Sequence, residues 1–360
     1  MLKARAAVRT LNEYHPPLAD RTGLRLDFNE NTAGCSPAVL RALQSLTADD
    51  LARYPERTPL ERRVADFLEL NSNQLLLTNG VDEGIHLVCE TYLEAGDEVI
   101  IVVPTFSMYQ IYAQSTGAKI VTLPAGSGFR FPTDAVIAAI TPRTRLVAVA
   151  NPNNPTGTAA ASEDLVHIAQ AAPDAALLVD EAYFEFYGKT ILPELERHPN
   201  LLVSRTLSKA YGLAGLRIGM LAGSAEQIAM VRRVSSPYNV NAAALACLPA
   251  ALADEDYVRD YVAQVKTGRS QLETTLRDLA VEYWPSEANF VLARFGEARK
   301  QFVSEMRLRG ILVRDRNSDP GCGGCVRITV GTDEQNQRLF VAIKESLLAC
   351  GVVSARQVSA

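Results

Sequence analysis

No stretch of the 360-residue chain approaches the ~18 consecutive apolar residues that a membrane-spanning helix needs. The first residues carry lysine and arginine where a secretion signal would place its apolar stretch, so the expectation is a soluble cytoplasmic protein. Positive charge is also short. Lys and Arg number 36 against 41 Asp and Glu, a net charge of −5 with no polybasic run, which excludes the electrostatic footprint of a nucleic-acid binder. The four histidines (His15, His86, His167, His198) lie far apart and form no ligand spacing, so no metal is expected. Six dispersed cysteines suit an intracellular protein that does without disulfides. Cys322-Gly-Gly-Cys325 has the spacing of half a zinc site or a redox motif, but no second pair completes it. A turn with two free thiols is the stronger reading. Internal repeats and low-complexity linkers are missing too.

What is present is apolar. Hydrophobic residues make up 48% of the chain, enough for a large core and roughly two to three domains' worth of structure. Short apolar runs with little alternation predict strands over 75–78, 98–103, 119–123, 146–150, 176–179, 201–204 and 218–221. Helical patterns over 82–93 and 108–115 lie between them, which predicts an α/β architecture with a mostly parallel central sheet flanked by helices. After about residue 240 the texture changes to a long helical stretch (241–279, interrupted near Asp254). Strands over 289–293, 311–314 and 326–330 and a last helix over 333–348 follow, a smaller α+β unit. The expected division is a large domain over 46–240 and a small one over 241–360. Residues 1–45, with no strong core helix, would pack on the small domain or reach a partner subunit.

Four segments at the ends of those strands carry candidate chemistry, where open α/β sheets bind ligands. The most informative centres on Lys209, in Arg205-Thr-Leu-Ser-Lys-Ala-Tyr-Gly-Leu-Ala-Gly-Leu-Arg217. Most lysines are solvated surface charges. This one follows a buried strand, and an amine there loses hydration, drops in pKa and becomes a nucleophile. Thr206, Ser208 and Arg217 supply two hydroxyls and a planar guanidinium suited to a phosphate. Val179-Asp-Glu-Ala-Tyr-Phe184 ends a buried strand in an acid, and Asp180 either caps a helix or holds a pyridine nitrogen protonated. Tyr183, one turn on, is placed to donate to a ring oxygen. Asn151-Pro-Asn-Asn-Pro-Thr-Gly157 is turn-like, yet a turn does not demand three asparagines, which favours a ligand role for Asn154. Asn79-Gly-Val-Asp-Glu-Gly84 is either a phosphate-binding helix start or an ordinary βα turn. Gly188-Lys-Thr190 imitates a phosphate loop, but the required earlier glycine falls on Tyr183.

Together these motifs resemble the fold-type I pyridoxal-phosphate-dependent aminotransferases, and among them the histidinol-phosphate aminotransferases. The resemblance extends from Leu26-Asp-Phe-Asn-Glu-Asn31 to Arg327-Ile-Thr-Val-Gly-Thr332. It implies that Lys209 links covalently to the cofactor aldehyde, Asp180 pairs with the pyridine nitrogen, and Tyr183 and Asn154 meet the phenolic oxygen. Thr206, Ser208, Arg217 and the backbone at Val81 and Asp82 would hold the cofactor phosphate. Phe106 would stack on the ring, against a plain core role. Tyr54 matches a tyrosine that reaches the cofactor phosphate of the neighbouring subunit, implying a homodimer. Arg327 would grip the substrate's anionic end. Arg314 and Tyr14 add more than one carboxylate needs, which tilts toward a phosphorylated substrate, although a surface salt bridge also accounts for Arg314. The implied reaction exchanges the amino group between histidinol phosphate and 2-oxoglutarate, giving imidazole-acetol phosphate and glutamate. An aromatic amino-acid aminotransferase and a threonine-phosphate decarboxylase share the pattern. A cofactor-binding regulator without turnover lacks the DNA-binding domain it would need. Asn31 is followed by Thr-Ala-Gly where the family usually has proline, and Tyr211 replaces a common phenylalanine.

Overall fold

The computed structural model describes residues 2–15 and 21–354. Among these described residues twelve strands follow in chain order. β1 is Leu24–Leu26, β2 Leu75–Thr78, β3 Glu98–Val103, β4 Lys119–Pro124, β5 Thr144–Ala150 and β6 Ala176–Asp180. β7 is Leu201–Thr206, β8 Gly219–Gly223, β9 Glu282–Trp284, β10 Phe290–Arg294, β11 Ile311–Asp315 and β12 Cys325–Thr329.

Seven of them form one sheet in the order β2-β8-β7-β6-β5-β3-β4. All neighbours run parallel except β8, which is antiparallel to both β2 and β7. Every residue of β6 and β7 is buried, which explains their unbroken apolar texture in the sequence: both faces lie under helices. One apolar cluster joins Leu76, Leu178 and Leu221 to helix Gly80–Tyr92, and another joins Val147, Val179 and Val203 to helix Ser162–Ala171. Because β5, β6 and β7 are parallel, Asn151, Asp180 and the turn after Thr206 leave the sheet at the same edge.

The second sheet has the order β1-β11-β12-β10-β9. β1 pairs parallel with β11, Leu24 opposite Ile311, while the other pairs are antiparallel. Helices Glu255–Asp278 and Asp333–Ala349 cover it. The latter starts with a capping box in which Thr332 and Gln335 satisfy each other's backbone N–H groups.

The helical stretch 241–279 breaks at Asp254, as its pattern implies. Among the elements that were not legible in the sequence are two strands and one helix of the first 45 residues. β1 and β9 have three residues each, too few to display a period. Helix Pro37–Gln44 contradicts the expectation that the first 45 residues lack a core helix. Ser36 accepts from Val39 N–H, Pro37 starts the first turn, and Val39 is buried against helix Ala242–Ala253.

Candidate active site

Two adjoining cavities, of about 550 and 130 Å³, are both lined by Phe106, Asn154, Tyr183 and Lys209, and the larger is lined by residues of both sheets. The smaller is also lined by Val81, Asp82, Asp180, Thr206, Ser208 and Arg217. Every residue singled out for the cofactor therefore converges on one place, except Tyr54.

Lys209 sits in the turn that leaves β7, and its Nζ donates to the Phe28 carbonyl oxygen at 3.1 Å. It stands 5.9 Å from the centre of the Tyr183 ring. Burial, reinforced by the charge of Arg327, draws the amine down to about 8, so a free base is accessible near neutrality. Asp180 closes β6. Its Oδ2 accepts from Tyr109 Oη at 2.6 Å and its Oδ1 from Ala182 N–H at 3.1 Å. Burial nevertheless pushes this carboxyl up to about 6, against the pull of those hydrogen bonds. Such an acid is matched to a cation, whose approach would restore its negative charge.

Tyr183 is buried and its hydroxyl accepts from Asn29 Nδ2 at 2.8 Å. Asn29 holds φ +55°, with its N–H donating to Thr329 Oγ1. Asn29 and Tyr109 both escaped sequence reasoning. Tyr109 reads there as one more apolar position of a helix, and a single asparagine in Leu-Asp-Phe-Asn carries no local signal. Of the three asparagines in the loop after β5, two serve the loop itself. Asn151 Oδ1 accepts from Ala160 N–H, and Asn153 bonds Thr105, the Pro104 carbonyl and Thr156. Only Asn154 faces the site, accepting from Arg327 Nη1.

The end of the smaller cavity suited to a phosphate is built around a close approach at Gly80. Helix Gly80–Tyr92 has no side-chain cap, and Val81 and Asp82 of its first turn, where N–H groups lack helical partners, line the smaller cavity. Gly80 has φ +74°, and a Cβ there would lie 2.5 Å from Arg217 Nη2. Arg217 itself has φ +57° and donates to Asp82 Oδ2 at 2.9 Å. Thr206 Oγ1 donates to Ser208 Oγ at 2.9 Å and accepts from Ser208 N–H at 3.1 Å, so both hydroxyls are held side by side.

Phe106 meets Tyr109 edge to face, centroids 5.8 Å apart, and lines both cavities. Arg327, buried on β12, donates to the Asp27 carbonyl oxygen at 2.7 Å. Burial first, then the charge of Arg316 with Arg314 adding to it, draws its guanidinium down to about 9. Arg314 lies directly opposite on β11 and donates to Tyr14 Oη at 3.4 Å. Both arginines and Tyr14 line the larger cavity. Arg316, which the sequence reading passed over, lines it as well. Tyr54 stands apart: it is 79% exposed and stacks on Tyr238, ring centroids 4.3 Å apart. The Asn31-Thr-Ala-Gly34 loop packs on the Lys209 turn, since Asn31 Nδ2 donates to the Ala210 carbonyl oxygen and a Cβ on Gly212 would meet Gly34 O at 2.2 Å. Cys322 and Cys325 are free thiols in a tight turn, Cys325 N–H donating to Cys322 O at 2.9 Å, and they are buried beside Leu292.

A lysine and an acid at neighbouring strand ends of a parallel sheet, with a helix start beside them, are shared by a whole class of enzymes. The chain belongs to the class I and II aminotransferase family, whose sequence profile matches residues 21–343. Within it, the chain is similar to histidinol-phosphate aminotransferases. It is 37% identical over 332 residues to that of Geobacillus sp. (strain WCH70), covering 90% of each chain. It is 34% identical over 360 residues to histidinol-phosphate aminotransferase 2 of Legionella pneumophila (strain Lens), covering 95% of this chain and 97% of the relative. The crystal structure of the Sinorhizobium meliloti histidinol-phosphate aminotransferase in complex with pyridoxal-5'-phosphate superposes with a TM-score of 0.89 at 26% identity. That match covers 97% of this chain and 98% of the other.

Proposed function

We propose that the protein is a histidinol-phosphate aminotransferase of histidine biosynthesis, exchanging the amino group between histidinol phosphate and 2-oxoglutarate and yielding imidazole-acetol phosphate and glutamate. One observation carries this reading: a half-buried lysine and a buried acid share a cavity system with two arginines set opposite each other on neighbouring strands. The relatives' names support the same substrate.

The site fits pyridoxal 5′-phosphate. Asp180 is a buried carboxyl held above its usual range, as expected of a group whose partner is cationic. The bare helix start, the paired hydroxyls and Arg217 are a donor set for a dianion. When bound, this cofactor supplies an aldehyde that takes up the amino group and a cationic ring that accepts an electron pair.

The chain's own residues do the rest. Lys209, half deprotonated near pH 8, anchors the cofactor and then carries a proton to and from the substrate carbon. Asp180, fixed by Tyr109, holds the pyridine nitrogen's proton. Tyr183 and Asn154 serve the phenolic oxygen, and Phe106 packs against the ring. Thr206, Ser208, Arg217 and the N–H groups of Val81 and Asp82 hold the phosphate. Arg327, Arg314 and Tyr14 take the anionic end of the substrate. Each amino exchange then runs in two halves, so the kinetics should be ping-pong.

The working unit in this reading is a homodimer in the cytoplasm. Tyr54 and Tyr238 stack in the open with Leu51 exposed three residues before, an apolar surface suited to a second copy whose cofactor phosphate Tyr54 would reach. No helix among the described residues is long and apolar enough to cross a membrane.

The test is a substrate panel of histidinol phosphate, phenylalanine and threonine phosphate with purified protein. Turnover should be greatest with histidinol phosphate. Transamination of phenylalanine without it would replace the substrate assignment, and carbon dioxide release from threonine phosphate would replace the reaction.

A further inference from the structure

Arg316 lies just past the end of β11, and its N–H donates to the Cys325 carbonyl oxygen at 3.0 Å, so the ladder with β12 continues through it. Side chains two apart on an extended chain share a face, and residues directly opposite on neighbouring strands share it too. Arg314, Arg316 and Arg327 thus present three guanidinium groups to one side, and all three line the larger cavity. Asp315, between them, pairs instead with Arg299.

Like charges brought this close repel, and the crowding is visible in Arg327, whose proton is loosened by Arg316 more than by any other charge. One acid answers them. Asp319 pairs with Arg316 through Nη2, and its carboxyl also feels the charges of Arg327 and Arg314. Asp27 and Asp315 line the cavity too but pair with Arg21 and Arg299, so Arg314 and Arg327 have no carboxylate partner of their own among the described residues. The hydrogen bonding is incomplete in the same place: Arg314 Nη1, Arg316 Nε and Arg327 Nε are all buried with no hydrogen-bond partner among the described residues. Buried donors without acceptors are costly, and these three sit on guanidinium groups that line one cavity, an excess of donors that suits an acceptor-rich anion. A carboxylate carries one charge and two oxygens. A phosphate monoester carries close to two charges and three free oxygens, which matches both counts.

We propose that Arg316 is a specificity-determining residue that completes, with Arg314 and Arg327, a three-arginine site for the dianionic phosphate of the amino substrate, with Asp319 positioning its guanidinium. The inference rests on the reading that the substrate is a phosphorylated amine, and goes beyond it by naming the residue that separates such a substrate from a plain amino acid. In the second half-reaction 2-oxoglutarate has only carboxylates to offer, so Arg316 should matter far less there.

The experiment compares wild-type holoenzyme with Arg316→Gln and Arg316→Lys. It follows each half-reaction separately by cofactor absorbance and measures the binding of inorganic phosphate to the holoenzyme by calorimetry. Arg316→Gln should raise KM for histidinol phosphate about 10–100-fold, the worth of a lost charged hydrogen bond, and weaken inorganic phosphate similarly. The glutamate half-reaction should change less than about twofold, and Arg316→Lys should recover part of the loss by restoring charge without the fork. Equal losses in both half-reactions, or none in either, overturn the proposal. Should wild type ignore histidinol phosphate yet bind inorganic phosphate in an Arg316-dependent way, the substrate assignment fails while the anion site stands. Absence of Arg316-dependent phosphate binding would sink the site itself.

Discussion

Asp180 shows how a single residue is set against its own stability. Its carboxyl is buried and raised to about 6, so the folded chain holds that proton more tightly than the unfolded chain does. The linkage sign follows: stability contributed by the protonated form is present below the usual carboxylate pKa and lost as pH rises to about 6. In the cofactor-free protein, Asp180→Asn should therefore raise the thermal midpoint at pH 7–8, by an amount equivalent to roughly 2–3 kcal/mol, with the gap closing toward pH 4. The same variant loaded with cofactor should lose about 10²–10³ in kcat, since the charge that stabilises the ring is gone. A midpoint below that of wild type at neutral pH would contradict the account. Residues of this kind were legible because chemistry forces an unusual type into an unusual context: an acid ending an apolar strand, a lysine following one, a third asparagine where a turn needs none. Tyr109, Asn29 and Arg316 were not. Each is an ordinary residue in its own segment and gains its meaning only from a partner distant in sequence or on another strand.

Elements position these residues by close approach. A Cβ on Gly219 would fall 2.5 Å from the Gly80 carbonyl carbon, and one on Gly80 would fall 2.5 Å from Arg217 Nη2, so β8, the helix start and the arginine are locked together at glycine width. Gly80→Ala must push Arg217 aside and place alanine in a left-handed conformation, a strain of about 1–2 kcal/mol. The expected outcome is a lowered thermal midpoint and a pyridoxal phosphate dissociation constant raised about tenfold, followed by the loss of cofactor absorbance on dialysis. Unchanged retention would show that the guanidinium does not hold the phosphate. Strands buried on both faces announced themselves, because unbroken runs such as Leu201-Leu-Val203 have few other homes. The three-residue strands and the short helix Pro37–Gln44 did not, since their existence depends on partners the local sequence does not contain.

At the scale of the molecule, the exposed pair Tyr54 and Tyr238 sets an expectation for assembly. Sedimentation of the wild type should report twice the mass of one chain at micromolar concentration. Under the proposed dimer, Tyr54→Ala should leave the larger cavity intact but weaken cofactor retention about tenfold, since that reading makes Tyr54 a donor to the neighbouring phosphate. A fully active monomer would end that reading.

The parallel pairing of Leu24–Leu26 with Ile311–Val313 has a further effect on how the chain is made. During synthesis the first strand leaves the ribosome with nothing to pair against, and waits on the order of tens of seconds at ~5–20 residues per second until residue 313 emerges. The larger sheet can assemble meanwhile, whereas the smaller one closes only near the end of translation. The amino terminus thus acts as a late clasp, and a nascent chain stalled before residue 311 would carry an unpaired edge within reach of chaperones.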